Sequence, residues 1–195
     1  MVATTSPAER IVDPDGASVD IFPLPVDEAS LQALLEELFR DWWRVIIFGP
    51  MIEGAAWEWR APNAPRAIHL YDGYLTIVFG RSHFHICIGP HQGTPSYPVT
   101  EELARHRRTA RAELFRRLDG PTGSPVTWGL RLFNGAGEQQ ISIFFPNPFL
   151  SADLAKRLRR PSWSKLALWD HLRARWLGLA EPDLFDRSGA AFHHR

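Results

Sequence analysis

The period of apolar positions changes several times along the chain, and each change marks an element. In "DEASLQALLEELFRDWWRVI", Leu31, Leu34, Leu35, Leu38, Phe39 and Trp42 recur at steps of three and four. This spacing predicts an amphipathic helix over about 28–47, capped by Asp27 or Ser30. In "RAIHLYDGYLTIVFGRSHFHICIGP" the period drops to two. Asp72-Gly73 and Gly80-Arg81 interrupt it as tight turns, so three antiparallel strands are expected near 66–71, 74–80 and 82–89. "VTEELARHRRTARAELFRRL" reads as a second helix, 100–118, with Thr100 as cap and Glu101 and Glu102 at its positive end. "TWGLRLFNGAGEQQISIFF" reads as a second hairpin ended by Pro146-Asn147-Pro148, and "SADLAKRLRR" and "SWSKLALWDHLRARWLGL" as two further helices parted by Pro161. "FGPMIEGAAWEWRAPNAP" is a loop with a short strand at 56–60. Residues 1–25 read as a flexible N-terminal arm and 188–195 as a mobile tail. Between them, 26–187 is expected to form a single α+β domain. Its mostly antiparallel sheet has about five strands, a three-strand meander plus a hairpin, with helices packed on it.

Strand side chains alternate between faces, so two-residue turns fix who meets whom. His69 then lies opposite Thr76, Thr76 opposite His85, Tyr74 opposite Cys87, and Val78 opposite His83. Ile68, Leu70, Leu75, Ile77, Phe79, Phe84, Ile86 and Ile88 form the other, apolar face. In the second hairpin, Trp128, Leu130, Leu132, Ile141, Ile143 and Phe145 point one way, and Arg131 and Gln140 the other. If both hairpins shared one sheet, Arg131 and Gln140 could face the histidine row.

Composition narrows the classes without choosing among them. The chain is 45% hydrophobic and 23% charged, with a formal net charge of zero. That is ordinary for a globular protein and gives no bulk attraction to nucleic acid or anionic lipid. No apolar run approaches the roughly 18 residues of a membrane span. The single cysteine excludes an intrachain disulfide, and with no leader-like N-terminus it suggests a reduced, cytoplasmic setting.

The chemistry concentrates in "RSHFHICIGPH", which holds His83, His85, Cys87 and His91. Imidazole and thiolate are the common N and S ligands of transition metals. Side chains two apart on a strand are about 6.6 Å apart and can share one ion, whereas His83 and Cys87, about 13 Å apart, cannot. His85 and Cys87 therefore lead as ligands, with His83, His69 and His91 in reserve, and Zn, Fe, Cu or Ni all suit the donors. A small metal-binding protein, even a metal-dependent enzyme acting on a small anionic substrate, is the favoured expectation. Arg131, Arg108 and Tyr74 would bind the ligand or cofactor. The alternatives are a metal-free module binding a small molecule or a cofactor such as haem, or a nucleophilic enzyme using Cys87 with His85. Arg105, Arg108 and Arg111 fall at helical spacing and read mainly as a solvated face.

The "HFHICIGPH" stretch, with "ELARHRR" and "WGLRLFNG" after it, resembles a group of uncharacterised bacterial proteins sharing an H-F-H-x-C-I-G core. The similarity covers roughly 68–150 and implies no activity. Eight tryptophans, including Trp43, Trp163, Trp169 and Trp176, suggest more aromatic surface than one core absorbs. Core packing or a homodimer surface is the expectation drawn from them, with an aromatic cage for a ligand, Trp57 and Trp59 included, as the alternative.

Overall fold

A computed structural model of the protein describes residues 9–52 and 54–190. The elements follow in chain order: β1 (Glu9–Val12), β2 (Ser18–Leu24), α1 (Glu28–Asp41), β3 (Ile47–Gly49), β4 (Met51–Ile52), β5 (Ala55–Ala56), β6 (Ala67–Tyr71), β7 (Tyr74–Val78), β8 (His83–Cys87), β9 (Gly93–Thr94), β10 (Tyr97–Pro98), α2 (Glu101–Arg107), β11 (Thr109–Leu118), β12 (Pro125–Asn134), β13 (Gln139–Phe144) and α3 (Ala167–Leu177). The fold is α+β. Its main sheet has six strands in the order β1-β2-β11-β12-β13-β3, one more than expected, and β6-β7-β8 form a separate three-stranded sheet. The meander and the second hairpin therefore do not share a sheet.

Four expectations are corrected. The stretch 9–24 is no loose arm: Val19, Ile21, Phe22 and Leu24 are buried, and β1 pairs antiparallel with β2. The first eight residues, and 191–195 of the expected tail, lie outside the described residues. Helix α1 stops at Asp41: a turn closed by Val45 N–H on the Trp42 carbonyl at 3.0 Å follows, and Ile46 and Phe48 then enter the core before and on β3. The expected helix 100–118 splits into seven-residue α2 and the ten-residue strand β11. "TARAELFRRL" is rich in good helix formers, yet it runs between β2 and β12 with residues of both faces buried, so pairing overrides propensity. The expected helix 151–160 is a loop, with Leu154 at φ 61°. There the Ser151 hydroxyl accepts from Lys156 N–H at 2.9 Å and meets Asp153, local bonds that compete with a helix.

The chain's internal contacts define two compact units, 1–24 with 113–130 and 144–195, and 25–112 with 131–143. In the first unit α3 buries Leu168, Trp169, Leu172 and Arg173. Asp186, wholly buried, accepts from Trp128 Nε1 at 2.9 Å, Trp169 Nε1 at 2.7 Å and Arg116 Nη1 at 3.0 Å. Trp163 packs edge-on against Phe149 at 5.7 Å. Much of the aromatic surplus read from the sequence is thus absorbed here.

In the second unit α1 turns Leu31, Leu34, Leu35, Leu38 and Phe39 inward. Asp27 caps it, accepting from Ser30 N–H at 2.9 Å. Phe39 meets Phe48 at 4.8 Å and Phe84 at 5.4 Å, and Trp59 meets Phe79 at 5.0 Å. This aromatic cluster joins α1 to β3 and to the apolar face of the meander.

Candidate functional site

The meander carries the site, and its register is the predicted one. His69 pairs with Thr76, Thr76 with His85, Tyr74 with Cys87, and Val78 with His83. The Asp72-Gly73 turn has positive φ at both residues, 45° and 73°, as a type I′ hairpin requires. Leu75, Ile77, Phe79, Ile86 and Ile88 are buried on the apolar face.

A cleft of about 640 Å³ opens beside β8. Phe48, Trp57, Trp59 and Phe84 give it aromatic surface, and His83, His85, Tyr74, Cys87, His106, Arg107, Asn134 and Gln140 give it polar groups. Its size and its mix of apolar surface with a few polar groups are those of a small-molecule site. Trp57, 67% exposed, stands at the rim.

The α2 end of the cleft is tied together by side chains. Gln140 Nε2 donates to the Arg107 carbonyl at 2.9 Å, and Thr109 Oγ1 lies 2.8 Å from Gln140 Oε1 and 3.0 Å from the Cys87 carbonyl. Gly135 N–H donates to the His106 carbonyl at 2.9 Å. A Cβ on Gly135 would meet the Arg105 carbonyl oxygen at 2.0 Å, so the turn after β12 needs glycine to approach α2.

The predicted site residues divide into separate places. His83 and His85 lie together on the cleft wall, their rings 5.1 Å apart and edge-on. The Thr76 hydroxyl fixes the His85 ring through Nδ1 at 2.7 Å. Cys87 is buried, and burial pushes its thiol up from the ordinary cysteine range despite a hydrogen bond from Tyr74. Burial, then the neighbouring Cys87, likewise pushes the Tyr74 phenol up, while Arg107 acts in the opposite direction. An activated Cys87–His85 nucleophile does not fit this setting. His91 sits past β8, with Nδ1 2.8 Å from Asp72 Oδ2 and Nε2 3.2 Å from Arg107 Nη1. Both its nitrogens already have partners, Asp72 at Nδ1 and Arg107 at Nε2. His69, exposed on β6, does not line the cleft.

Among the described residues, no group of three or more His, Cys, Asp or Glu side chains is placed to hold a metal ion. Of the expected ligand-binding residues, Tyr74 lines the cleft. Arg131 is buried, with its guanidinium 5.5 Å from the Phe133 ring. Arg108 lines a second hollow with His91, Arg105 and Glu101. Arg111 leaves the expected helical face altogether and stacks on Phe133 at 3.5 Å.

Sequence reasoning offered an aromatic cage only as an alternative and missed Phe48 and Phe84 as its partners to Trp57 and Trp59, Arg107 as a cleft residue, and Asp72 as anything beyond a turn. The only advance signal for Asp72 was its place in the hairpin, which brings it to the end of β8. A model of a family of unknown function, DUF7676, matches residues 8–178. No curated protein matches the chain.

Proposed function

Since the chain belongs to the DUF7676 family, whose function is unknown, we propose from the cleft itself that the protein binds a small, flat, largely apolar organic molecule there. One observation carries this reading: Phe48, Trp57, Trp59 and Phe84 line a cleft of about 640 Å³ that also holds a small set of polar groups. Flat aromatic walls favour stacked or edge-on ligands, and the rim-exposed Trp57 gives up solvent contact when a ligand covers it. The neutral fluorophore N-phenylnaphthylamine is a suitable probe. It should bind saturably, one per chain, with quenching of tryptophan emission. Trp57→Ala removes an aromatic contact of about 1 kcal/mol and should weaken binding roughly fivefold. Absence of saturable binding, or indifference to Trp57→Ala, would overturn the reading.

A second reading keeps a transition metal at the cleft. It is favoured by the adjacent His83 and His85 rings, which offer two imidazoles to one ion. Zn, Fe, Cu or Ni would then complete its coordination from solvent or ligand. If this holds, protein loaded by dialysis retains near-stoichiometric metal and His85→Ala loses it. Equal retention by the variant sinks it.

A further inference from the structure

Among the described residues, Arg107 is the one arginine that lines the cleft. Several other arginines have carboxylate partners: Arg10 and Arg116 pair with Asp20, Arg117 with Asp15, Arg187 with Asp170. Among the described residues, Arg107 pairs with no carboxylate. It is nonetheless held from both ends. Its carbonyl accepts from Gln140 Nε2 at 2.9 Å, and its Nη1 donates to His91 Nε2 at 3.2 Å. Its guanidinium also interacts with Tyr74.

The contact with His91 has a specific requirement. An arginine can only donate, so His91 Nε2 must carry a lone pair. The proton then sits on Nδ1 and is donated to Asp72 Oδ2 at 2.8 Å. Asp72 is fixed in turn, since its carboxylate accepts from Gln92 N–H and Gly93 N–H, each at 2.8 Å. Those two backbone bonds, then His91, hold its carboxyl below the usual aspartate range. The Tyr74 ring meets His91 edge-on at 4.8 Å. A row therefore runs from backbone amides through Asp72 and His91 to Arg107. It fixes one imidazole tautomer, as a carboxylate does behind a metal-bound histidine. A guanidinium ordered in advance costs less entropy when it grips a ligand, and its remaining N–H donors match a carboxylate or sulfonate oxygen pair.

We propose that Asp72 and His91 are positioning residues that hold Arg107 as the receptor for one anionic group, so that the ligand is a flat organic acid. This rests on the reading of the cleft as a binding site. The group can be a carboxylate, sulfonate or phosphate, since all present the same oxygen geometry to the guanidinium.

Two matched probes test it in the full chain: neutral N-phenylnaphthylamine and anionic anilinonaphthalene sulfonate. Arg107→Leu should weaken the sulfonate at least tenfold more than it weakens the neutral probe. Asp72→Asn keeps a residue tolerant of the left-handed turn, and should weaken the sulfonate several-fold while sparing the neutral probe. His91→Leu should behave as Asp72→Asn does. Saturable binding of the neutral probe shows that each variant is folded. Combining Asp72→Asn with Arg107→Leu should be no worse than Arg107→Leu alone, because the aspartate acts only through the arginine. Additive losses, or equal losses for both probes, would overturn the proposal. If the neutral probe fails to bind at all, the cleft reading itself falls. If it binds while Asp72→Asn and His91→Leu leave the sulfonate untouched, only the positioning role falls.

Discussion

Cys87 shows how one residue changes meaning between sequence and structure. Beside His83 and His85 it looks like a ligand or a nucleophile. In the fold it is 4% exposed, its Sγ points to the Gly89 carbonyl oxygen at 3.7 Å, and the Tyr74 hydroxyl interacts with it. Burial raises the cost of the thiolate, which is the reactive form. Cys87 is thus a small core residue at the edge of a cleft. An aromatic disulfide reagent at neutral pH should react with it far more slowly in the native protein than in denaturant. Cys87→Ala should cost about 1 kcal/mol, the loss of one buried heavy atom, without weakening N-phenylnaphthylamine. Rapid stoichiometric labelling of native protein would return Cys87 to the reactive class. Arg107 is the opposite case. It sits unremarked in a run of basic residues, and only the return of Asp72 and His91 beside it reveals a use.

At the scale of elements, the Asp72-Gly73 turn does most to place the site. Gly73 has φ 73°, and a Cβ there would meet the Pro90 carbonyl oxygen at 2.3 Å and that of Gly89 at 2.6 Å. Its own carbonyl accepts from Ile88 N–H at 2.8 Å and Gly89 N–H at 3.0 Å. Gly73→Ala therefore combines left-handed strain of about 1–2 kcal/mol with a clash against backbone that cannot rotate away. It should lose at least about 2 kcal/mol. Gly137→Ala is the control: φ is 80° there, but nothing lies within 4 Å, so only the left-handed strain of about 1–2 kcal/mol remains. Thermal melts of the two variants measure the difference, and equal losses would show that the close approach is not needed. The meander was legible because its turns are local and two residues long, so alternation alone assigns both faces. Strand β11 was not legible. Its partners β2 and β12 lie elsewhere in the sequence, and with both faces covered the apolar period that marks a strand disappears. The aromatic wall was hidden for a related reason: Trp57 and Trp59 sit in a Gly/Pro loop, and only pairings such as Phe48 with Trp59 bring them to β8.

For the whole molecule, the ionic cluster of the first unit should contribute to the response to acid. Arg116 donates to Asp20 at 2.9 Å, Asp183 at 2.6 Å and Asp186 at 3.0 Å, and Arg10 Nε reaches Asp20 at 2.6 Å. Burial alone would raise the Asp20 and Asp183 carboxyls. Hydrogen bonds from Arg10 and Arg116 outweigh it at Asp20, as those from Arg116 and Phe185 N–H do at Asp183, and both end below the usual aspartate range. Burial acts on Arg116 too, and the surrounding carboxylates outweigh it. A carboxyl depressed in the folded state binds its proton more readily once unfolded. Its stabilisation is fully present above the unfolded value, near pH 4, and is lost as pH falls through the lower folded value. Stability should therefore be flat in this contribution from about pH 7 to 5 and fall steeply below about pH 4. Removing the cation is more severe than removing one anion. Arg116→Leu leaves Asp20 with Arg10 alone and strips the buried Asp186 of its closest cation, which should cost about 3–5 kcal/mol at neutral pH. Asp20→Asn should cost less at pH 7, and it should flatten the acid limb, because a group that no longer titrates cannot contribute to the slope. Melting temperatures of the wild type and Asp20→Asn between pH 7 and about pH 2.5 decide the matter: parallel curves would show that Asp20 does not carry the acid response, and converging curves that it does.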